Sequence, residues 1–254
     1  MFMKALILAA GYATRLYPLT LNKPKPLLPV AGKPIIEYLV EKIANTGKVD
    51  QIYIITNQKF YQNFIVWAKN YKQKIAIKII NDCTKSEQDR LGAIKDIEFA
   101  LKKEKINDDL LIAGGDNIFD FDFDLNEFIL KSKKFKDSVI GLYDINDLKS
   151  AQRFGVVQLN KKSRIISFQE KPKNPQSTLI AMCLYYFPNI QLSKFSMYLK
   201  ENIHYDAVGN FVSWLAKNND VQGVVFKGIW YDIGDKHAYS QACEQFLNKS
   251  SKKR

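Results

Sequence analysis

Apolar positions alternate between two rhythms along the first half of the chain. Residues 4–9 carry apolar side chains after Lys4 without interruption, the pattern of a strand covered on both faces. Pro34 then opens a stretch in which Ile36, Leu39, Val40 and Ile43 share one helical face. Residues 51–56 (QIYIIT) read as a second strand, and Phe60, Phe64, Trp67 and Tyr71 stripe a second, core-facing helix. A third strand is expected over 75–80 and a third helix from Leu91, Ile94, Ile97 and Leu101. A fourth strand is expected over 109–115 and a fifth over 138–143. This alternation predicts a mostly parallel sheet with helices on both faces.

The second half changes rhythm. Strands are expected over 155–159, 164–169 and 179–187, with short turns between them. Helical patterns follow over 191–201 and 210–217. A strand over 221–226 leads to Trp230-Tyr231-Asp232, and a closing helix covers about 236–246. No linker rich in Pro, Ser or Gly interrupts the chain, and no internal repeat is visible. Residues 1–247 therefore read as one domain whose halves, about 1–145 and about 146–247, share a sheet. A basic tail over 248–254 is expected to fray.

Composition narrows the class. With 254 residues, 46% of them hydrophobic, the chain can bury one large core or two modest ones. Cys83, Cys183 and Cys243 lack metal-ligand spacing and read as reduced thiols. No apolar run approaches the roughly 18 residues of a membrane helix. The short apolar start, followed at once by Arg15, Lys23 and Lys25, reads as strand and loop rather than as a leader. A cytoplasmic protein without membrane association is expected. The net charge of +12 favours polyanionic partners. The lysines are scattered rather than clustered among aromatics, which argues against nucleic acid. A nucleoside triphosphate is the remaining anion, beside the plain alternative of a lysine-rich surface. His204 and His237 fall outside every motif and read as structural or surface residues. No Ser or Cys sits on a nucleophile elbow.

The loop after the first strand carries the chemistry. It runs G-Y-A-T-R-L-Y-P-L-T from Gly11, then reaches Pro24-Lys25-Pro26. Ala10 and Gly11 are small enough for backbone N–H groups to approach an anion. Arg15 offers a planar fork of donors for phosphate oxygens. Lys25 offers a compact charge, and the prolines beside it reduce the entropy lost on gripping a ligand. In open parallel sheets ligands sit beyond the carboxyl ends of the strands, where this loop begins. Each piece alone also reads as a basic surface loop.

The full string, with P-K-P-L-L-P-V and G-K-P, resembles the sugar-1-phosphate nucleotidylyltransferases, or pyrophosphorylases. Their signature is similar to G-x-x-T-R followed by P-K, here Gly11, Thr14, Arg15, Pro24 and Lys25. The resemblance implies an α/β, Rossmann-like three-layer sandwich with a mostly parallel, mixed central sheet. It implies that Leu8, Ala10, Gly11, Tyr12, Ala13 and Thr14 hold the nucleotide, and that Arg15 and Lys25 act on its triphosphate.

Three further fragments agree with it. Asp116, in Gly114-Gly115-Asp116-Asn117, is placed for Mg2+, although the tetrapeptide alone equally suits a turn or cap. The matching aspartate in the family is a metal ligand. Trp230-Tyr231-Asp232-Ile233-Gly234-Asp235 is similar to the family's W-x-D-x-G element, which implies Asp232 as the second metal ligand. Asp235 reads as a helix cap. Phe168-Gln169-Glu170-Lys171-Pro172 resembles the E-K-P element, implying that Lys171 binds the acceptor's phosphate and Glu170 its polar body. Arg153-Phe154-Gly155-Val156-Val157 also matches, with Gly155 letting the backbone meet the acceptor. Tyr185 completes the implied acceptor set. The resemblance spans Lys4 to about Gln245.

The implied reaction is attack of an acceptor phosphate oxygen on the α-phosphorus of an NTP, with pyrophosphate leaving in line. The nucleophile is already ionised, so positioning and charge stabilisation carry catalysis, with Mg2+ as cofactor. Arg15, Lys25, Asp116, Lys171 and Asp232 are therefore expected in one cleft.

Two departures bear on specificity. Cys183, in Ala181-Met182-Cys183-Leu184-Tyr185, stands where sugar-binding members carry glycine. The polar segment 81–93 replaces their usual glutamine and P-x-G-x-A-x-A stretch. In that segment Asp82, Asp89 or Arg90 could pair with a base or cap the next helix, and Gly92 joins the implied nucleotide set. These departures favour CTP and a small non-sugar phosphorylated acceptor, phosphocholine- or phosphoglutamine-like. Small cytidylyltransferases of surface-polysaccharide modification work on such acceptors. The alternative is thymidylyl, uridylyl or guanylyl transfer to a sugar 1-phosphate. A non-catalytic nucleotide-binding regulator would lack one or both metal carboxylates. Oligomeric state is unknown from the pattern.

Overall fold

The structure, a computed structural model, describes residues 2–72, 75–119, 123–201, 206–218 and 221–251. The first half begins with β1 (Met3–Leu8), short 3-10 turns at Thr14–Leu16 and Lys25–Leu27, and a hairpin of β2 (Pro29–Val30) and β3 (Lys33–Pro34). It continues through α1 (Ile35–Asn45), β4 (Val49–Thr56), α2 (Tyr61–Asn70), β5 (Ala76–Asn81), α3 (Ala93–Glu104), β6 (Leu110–Gly114) and β7 (Asn117–Phe119). Then come α4 (Leu125–Ser132), β8 (Ser138–Asp144), α5 (Leu148–Ala151), β9 (Gly155–Leu159), β10 (Ile165–Glu170) and β11 (Leu179–Phe187). The chain closes with α6 (Ser193–Glu201), α7 (Val208–Asn218), β12 (Val221–Phe226), β13 (Trp230–Asp232) and α8 (Lys236–Ser251).

The main sheet has the order β10-β9-β11-β6-β1-β4-β5, with β8 pairing β11 and β12. β6, β1, β4 and β5 are parallel, and β11 joins them antiparallel through β6. The mixed, mostly parallel Rossmann-like sheet follows from this. Alternation along β1 shows why its run is apolar throughout. Ala5 and Ile7 pack with Ile36, Leu39, Val40 and Phe64 on one face, while Leu6 packs with Ile94, Ile97, Phe195 and Phe211 on the other. Each such buried Ile or Leu contributes roughly 1.5–3 kcal/mol. A third cluster joins Leu16, Leu28 and Val30 to Ile118, Ile233 and Phe246, so α8 clamps the first loop against β7 and β13.

Several boundaries move from their expected places. α3 begins at Ala93, after Leu91, because Gly92 takes a φ of 85° that ends the preceding loop. A 3-10 turn at Asn189–Gln191 precedes α6. The closing helix continues to Ser251, through the segment expected to fray. His204 and residues 252–254 lie outside the described residues. Among the described residues no helix is long and apolar enough to cross a membrane.

Candidate active site

β1 and β6 end side by side, with Leu8 opposite Gly114, so two loops leave the sheet at the same edge. The first loop is fastened from behind. The Asn57 amide donates to the Ala10 carbonyl at 2.8 Å, and the Thr20 hydroxyl donates to the Ala13 carbonyl at 2.8 Å. Ala13 takes a left-handed φ of 51° to enter the turn that carries Arg15. The Gly115 N–H donates to the Leu8 carbonyl at 2.9 Å, tying the two loops together. Leu8, Gly11, Tyr12, Ala13, Thr14, Arg15 and Lys25 line a recess of about 310 Å3, with Glu87, Arg90 and Asp116.

A second recess of about 460 Å3 adjoins the first and shares Leu8, Arg15, Lys25 and Asp116 with it. Gly155, Glu170, Lys171, Cys183, Tyr185 and Asp232 line it as well. Arg15, Lys25, Asp116, Lys171 and Asp232 thus meet in one cleft.

The two aspartates are brought together by a small sheet that the sequence pattern did not reveal. β7 and β13 pair antiparallel, with Asp232 opposite Asn117, and the Ile233 N–H donates to the Asp116 carbonyl at 3.1 Å. The Trp230 indole N–H donates to Asn117 Oδ1 at 2.7 Å, and Asn117 Nδ2 donates to Asp116 Oδ1 at 3.1 Å. Trp230 therefore orients one carboxylate through Asn117. Burial first, and then the Asp116 charge, push Asp232 up to about 6, while Lys25, Arg15 and Arg153 pull it down. Two crowded carboxylates of this kind suit a hard divalent cation. Among the described residues no group of three or more His, Cys, Asp and Glu could hold a metal, so water and phosphate oxygens would supply its other ligands. In the structure Lys25 Nζ donates to Asp116 Oδ2 at 2.5 Å.

The second recess depends on two glycines. A Cβ on Gly155 would lie 2.4 Å from Phe168 Cζ, and one on Gly209 would lie 2.0 Å from Glu170 Oε2. Burial pushes Glu170 up and Lys171 pulls it down; the Lys171 ammonium lies 3.8 Å away. Lys171 itself takes a left-handed φ of 47° as β10 ends, and its N–H donates to the Phe154 carbonyl at 3.0 Å. Cys183 also has a left-handed φ, 51°, where the β11–β8 register is broken between Ala181 and Tyr185. Burial, then Asp116 and Asp232, push its thiol up to about 12, so it stays neutral.

Not every expected residue reaches the cleft. Ala10 is buried behind the first loop and does not line either recess. Asp82 does not reach a base: it is 5% exposed, because the chain turns inward after β5. Asp89 instead accepts the N–H groups of Lys85 and Ser86, at 2.9 and 2.6 Å, and organises its own loop. Gly92 caps α3 and lines neither recess. Arg90 does line the first recess, held by Glu87 and, at 2.8 Å, by Asp206 Oδ2. Asp235 lines the second recess and also caps α8, accepting the Ala238 N–H at 2.9 Å. His237 is exposed and away from the cleft lining.

Glu87, Arg153, Asp206 and Gly209 are among the lining residues that carried no expected role. Gly209 had one readable signal, a glycine at the second position of α7, where it is locally unfavourable.

The chain matches the family model described as nucleotidyl transferase over residues 4–249. It is 33% identical over 252 residues to a protein of Methanocaldococcus jannaschii named bifunctional protein GlmU, covering 97% of this chain and 55% of that one. It is 32% identical over 237 residues to a putative mannose-1-phosphate guanyltransferase of Sulfolobus acidocaldarius, covering 92% and 60%. The chain thus spans a little over half the length of the curated relatives it matches. A crystal structure of a putative glucose-1-phosphate thymidylyltransferase from Bacillus anthracis, in complex with a sucrose, superposes with a TM-score of 0.81 at 25% identity, covering 97% of this chain and 96% of that one. A UDP-glucose pyrophosphorylase complexed with UDP-glucose shares the fold, with a TM-score of 0.81 at 22% identity over 98% and 100% of the two chains.

Proposed function

This chain belongs to the nucleotidyl transferase family, and we propose that it transfers the nucleoside monophosphate of a magnesium-bound NTP to a sugar 1-phosphate, releasing pyrophosphate. The observation that carries this reading is the meeting of Arg15, Lys25, Asp116, Lys171 and Asp232, from both halves of the chain, in one cleft. A sugar 1-phosphate is favoured as acceptor because relatives are named for mannose 1-phosphate and glucose 1-phosphate.

The residues divide the work by charge. Arg15 and Lys25 face the triphosphate, and Lys171 holds the incoming phosphate against its natural repulsion from the nucleotide. Negative charge growing on the leaving pyrophosphate meets donors already in place, which costs little reorganisation. The acceptor phosphate is ionised at neutral pH, so no residue needs to remove its proton. Asp116 and Asp232 would hold Mg2+, which when bound neutralises phosphate charge. The neutral Cys183 thiol takes no covalent part.

Transfer from CTP to a small non-sugar phosphate, as in surface-polysaccharide modification, is the second reading. It is supported by the Cys183 side chain, which occupies part of the acceptor recess. Neither relative nor either solved structure above is named for cytidylyl transfer. The deciding experiment is a pyrophosphate-release screen with and without Mg2+. It crosses CTP, UTP, dTTP, GTP and ATP with hexose 1-phosphates, phosphocholine and phosphoglutamine. Release with a hexose 1-phosphate alone sustains the first reading, and release with CTP and a non-sugar phosphate alone sustains the second. Release with none overturns both.

A further inference from the structure

Behind the nucleotide recess lies a buried pair of carboxyl groups that takes no part in the machinery above. We propose that Asp82 and Asp96 share one proton and, through Thr84 and Tyr12, act as positioning residues for the first loop; the benefit to nucleotide binding rests on the proposed function.

Asp82 follows β5 and is 5% exposed, while Asp96 lies in the first turn of α3 and is 6% exposed. The two carboxyls lie close enough to perturb each other. A hydrogen bond between them requires a proton on one of them, because an ionised carboxylate only accepts. Asp82 is the acceptor. Its Oδ1 takes the Thr84 backbone N–H at 2.7 Å and the Thr84 hydroxyl at 2.8 Å, two donors that favour its charged form. Asp96 is the holder of the proton: burial first, and then the Asp82 charge, push it up to about 8. Asp82 Oδ2 and Asp96 Oδ1 are both buried with no hydrogen-bond partner, and one proton held between the two carboxyls satisfies both.

The relay to the cleft is short. The Tyr12 hydroxyl donates to Thr84 Oγ1 at 3.2 Å, and Tyr12 is 4% exposed between Gly11 and Ala13, which line the nucleotide recess. The acidic groups that bear on this cluster are Asp89 and Glu87, from the loop that precedes α3, while the Lys103 ammonium of α3 is engaged at 3.3 Å by the Asn81 carbonyl. Each of the two acids therefore favours retention of the proton. Loss of that proton leaves two carboxylates in one dry space. Their repulsion separates the end of β5 from α3, carries Thr84 with it and frees Tyr12.

The test uses the full chain and needs no substrate. Aspartate carboxyls are followed by carbon-13 NMR, and amide exchange is followed over residues 11–15. The variants are Asp96→Asn, Thr84→Val and Thr84→Ser. One aspartate is expected to keep its proton at neutral pH and release it near 8, and Asp96→Asn removes that titration. Protection factors over the loop fall about tenfold as the wild type passes through that range. They stay level in Asp96→Asn, whose amide donates to Asp82 without titrating. Thr84→Val lowers them at every pH, and Thr84→Ser keeps them. Two aspartates both ionised at neutral pH overturn the proposal. So does a loop whose protection ignores both the titration and Thr84→Val. Calorimetry with UTP, CTP, GTP, dTTP and ATP is a separate arm. If none binds while titration and protection behave as expected, the proposed function falls and the proton-sharing pair stands.

Discussion

Lys25 Nζ stands 2.5 Å from Asp116 Oδ2 at the junction of the two recesses, so one contact touches both recesses and the acid pair. Lys25→Ala and Asp116→Ala are each expected to lower pyrophosphate release by about 100- to 1,000-fold, as loss of one preorganised charge does elsewhere. Thermal melts should stay within a few degrees of wild type, since neither side chain supports the core. Near-normal turnover in both variants would remove these residues from the reaction.

Gly209 is fitted to Glu170. A methyl group at position 209 meets Glu170 Oε2 at 2.0 Å and Phe168 Cε1 at 2.8 Å, so Gly209→Ala displaces the Glu170 carboxylate that lines the second recess. The expected outcome is an acceptor KM raised about tenfold with a nearly unchanged nucleotide KM, and a stability loss of about 1–3 kcal/mol from overpacking. Initial-rate kinetics with each substrate varied in turn separates the two effects.

Cys183 inverts an ordinary rule. At a regular strand position alanine is more stable than glycine, but a left-handed backbone costs a residue with a Cβ about 1–2 kcal/mol. With φ at 51°, Cys183→Gly is therefore expected to unfold at higher denaturant concentration than Cys183→Ala. The reverse order in paired urea melts would show that the backbone relaxes there without strain.

Asp96 sets a sign for pH-dependent stability. Its carboxyl is raised from 3.8 to about 8 in the folded chain, so folding takes up a proton between those values. The stability it lends is full below the unfolded value and is lost as pH rises through about 8. Wild-type unfolding free energy should fall relative to that of Asp96→Asn across this window, with a slope of up to ~1.4 kcal/mol per pH unit for one proton. Parallel curves for the two proteins would mean that Asp96 is ionised in both states.

Much of this architecture could be read from side-chain periodicity. β9, β11 and β12 keep their expected limits, because turns bound each of these apolar stretches and leave little freedom. The site was legible where charge sits in a distinctive local string, as at Arg15, Lys25 and Lys171. It was illegible where burial decides. Asp82 looked free to meet a base, but its neighbours in space, Asp96 and Thr84, cannot be seen from spacing alone. The β7–β13 ladder escaped notice because three-residue strands carry no period, yet it sets the spacing of Asp116 and Asp232. Asp206 reaches the cleft by tertiary placement, with no local pattern to announce it.

That ladder also orders events during synthesis. β12 ends at Phe226, so by the time that residue is added every strand of the nine-stranded sheet has been synthesised. The chain then has Asp116 but not Asp232, which arrives with β13. A copy that stops short of β13 therefore carries every strand of the main sheet and still lacks a complete acid pair.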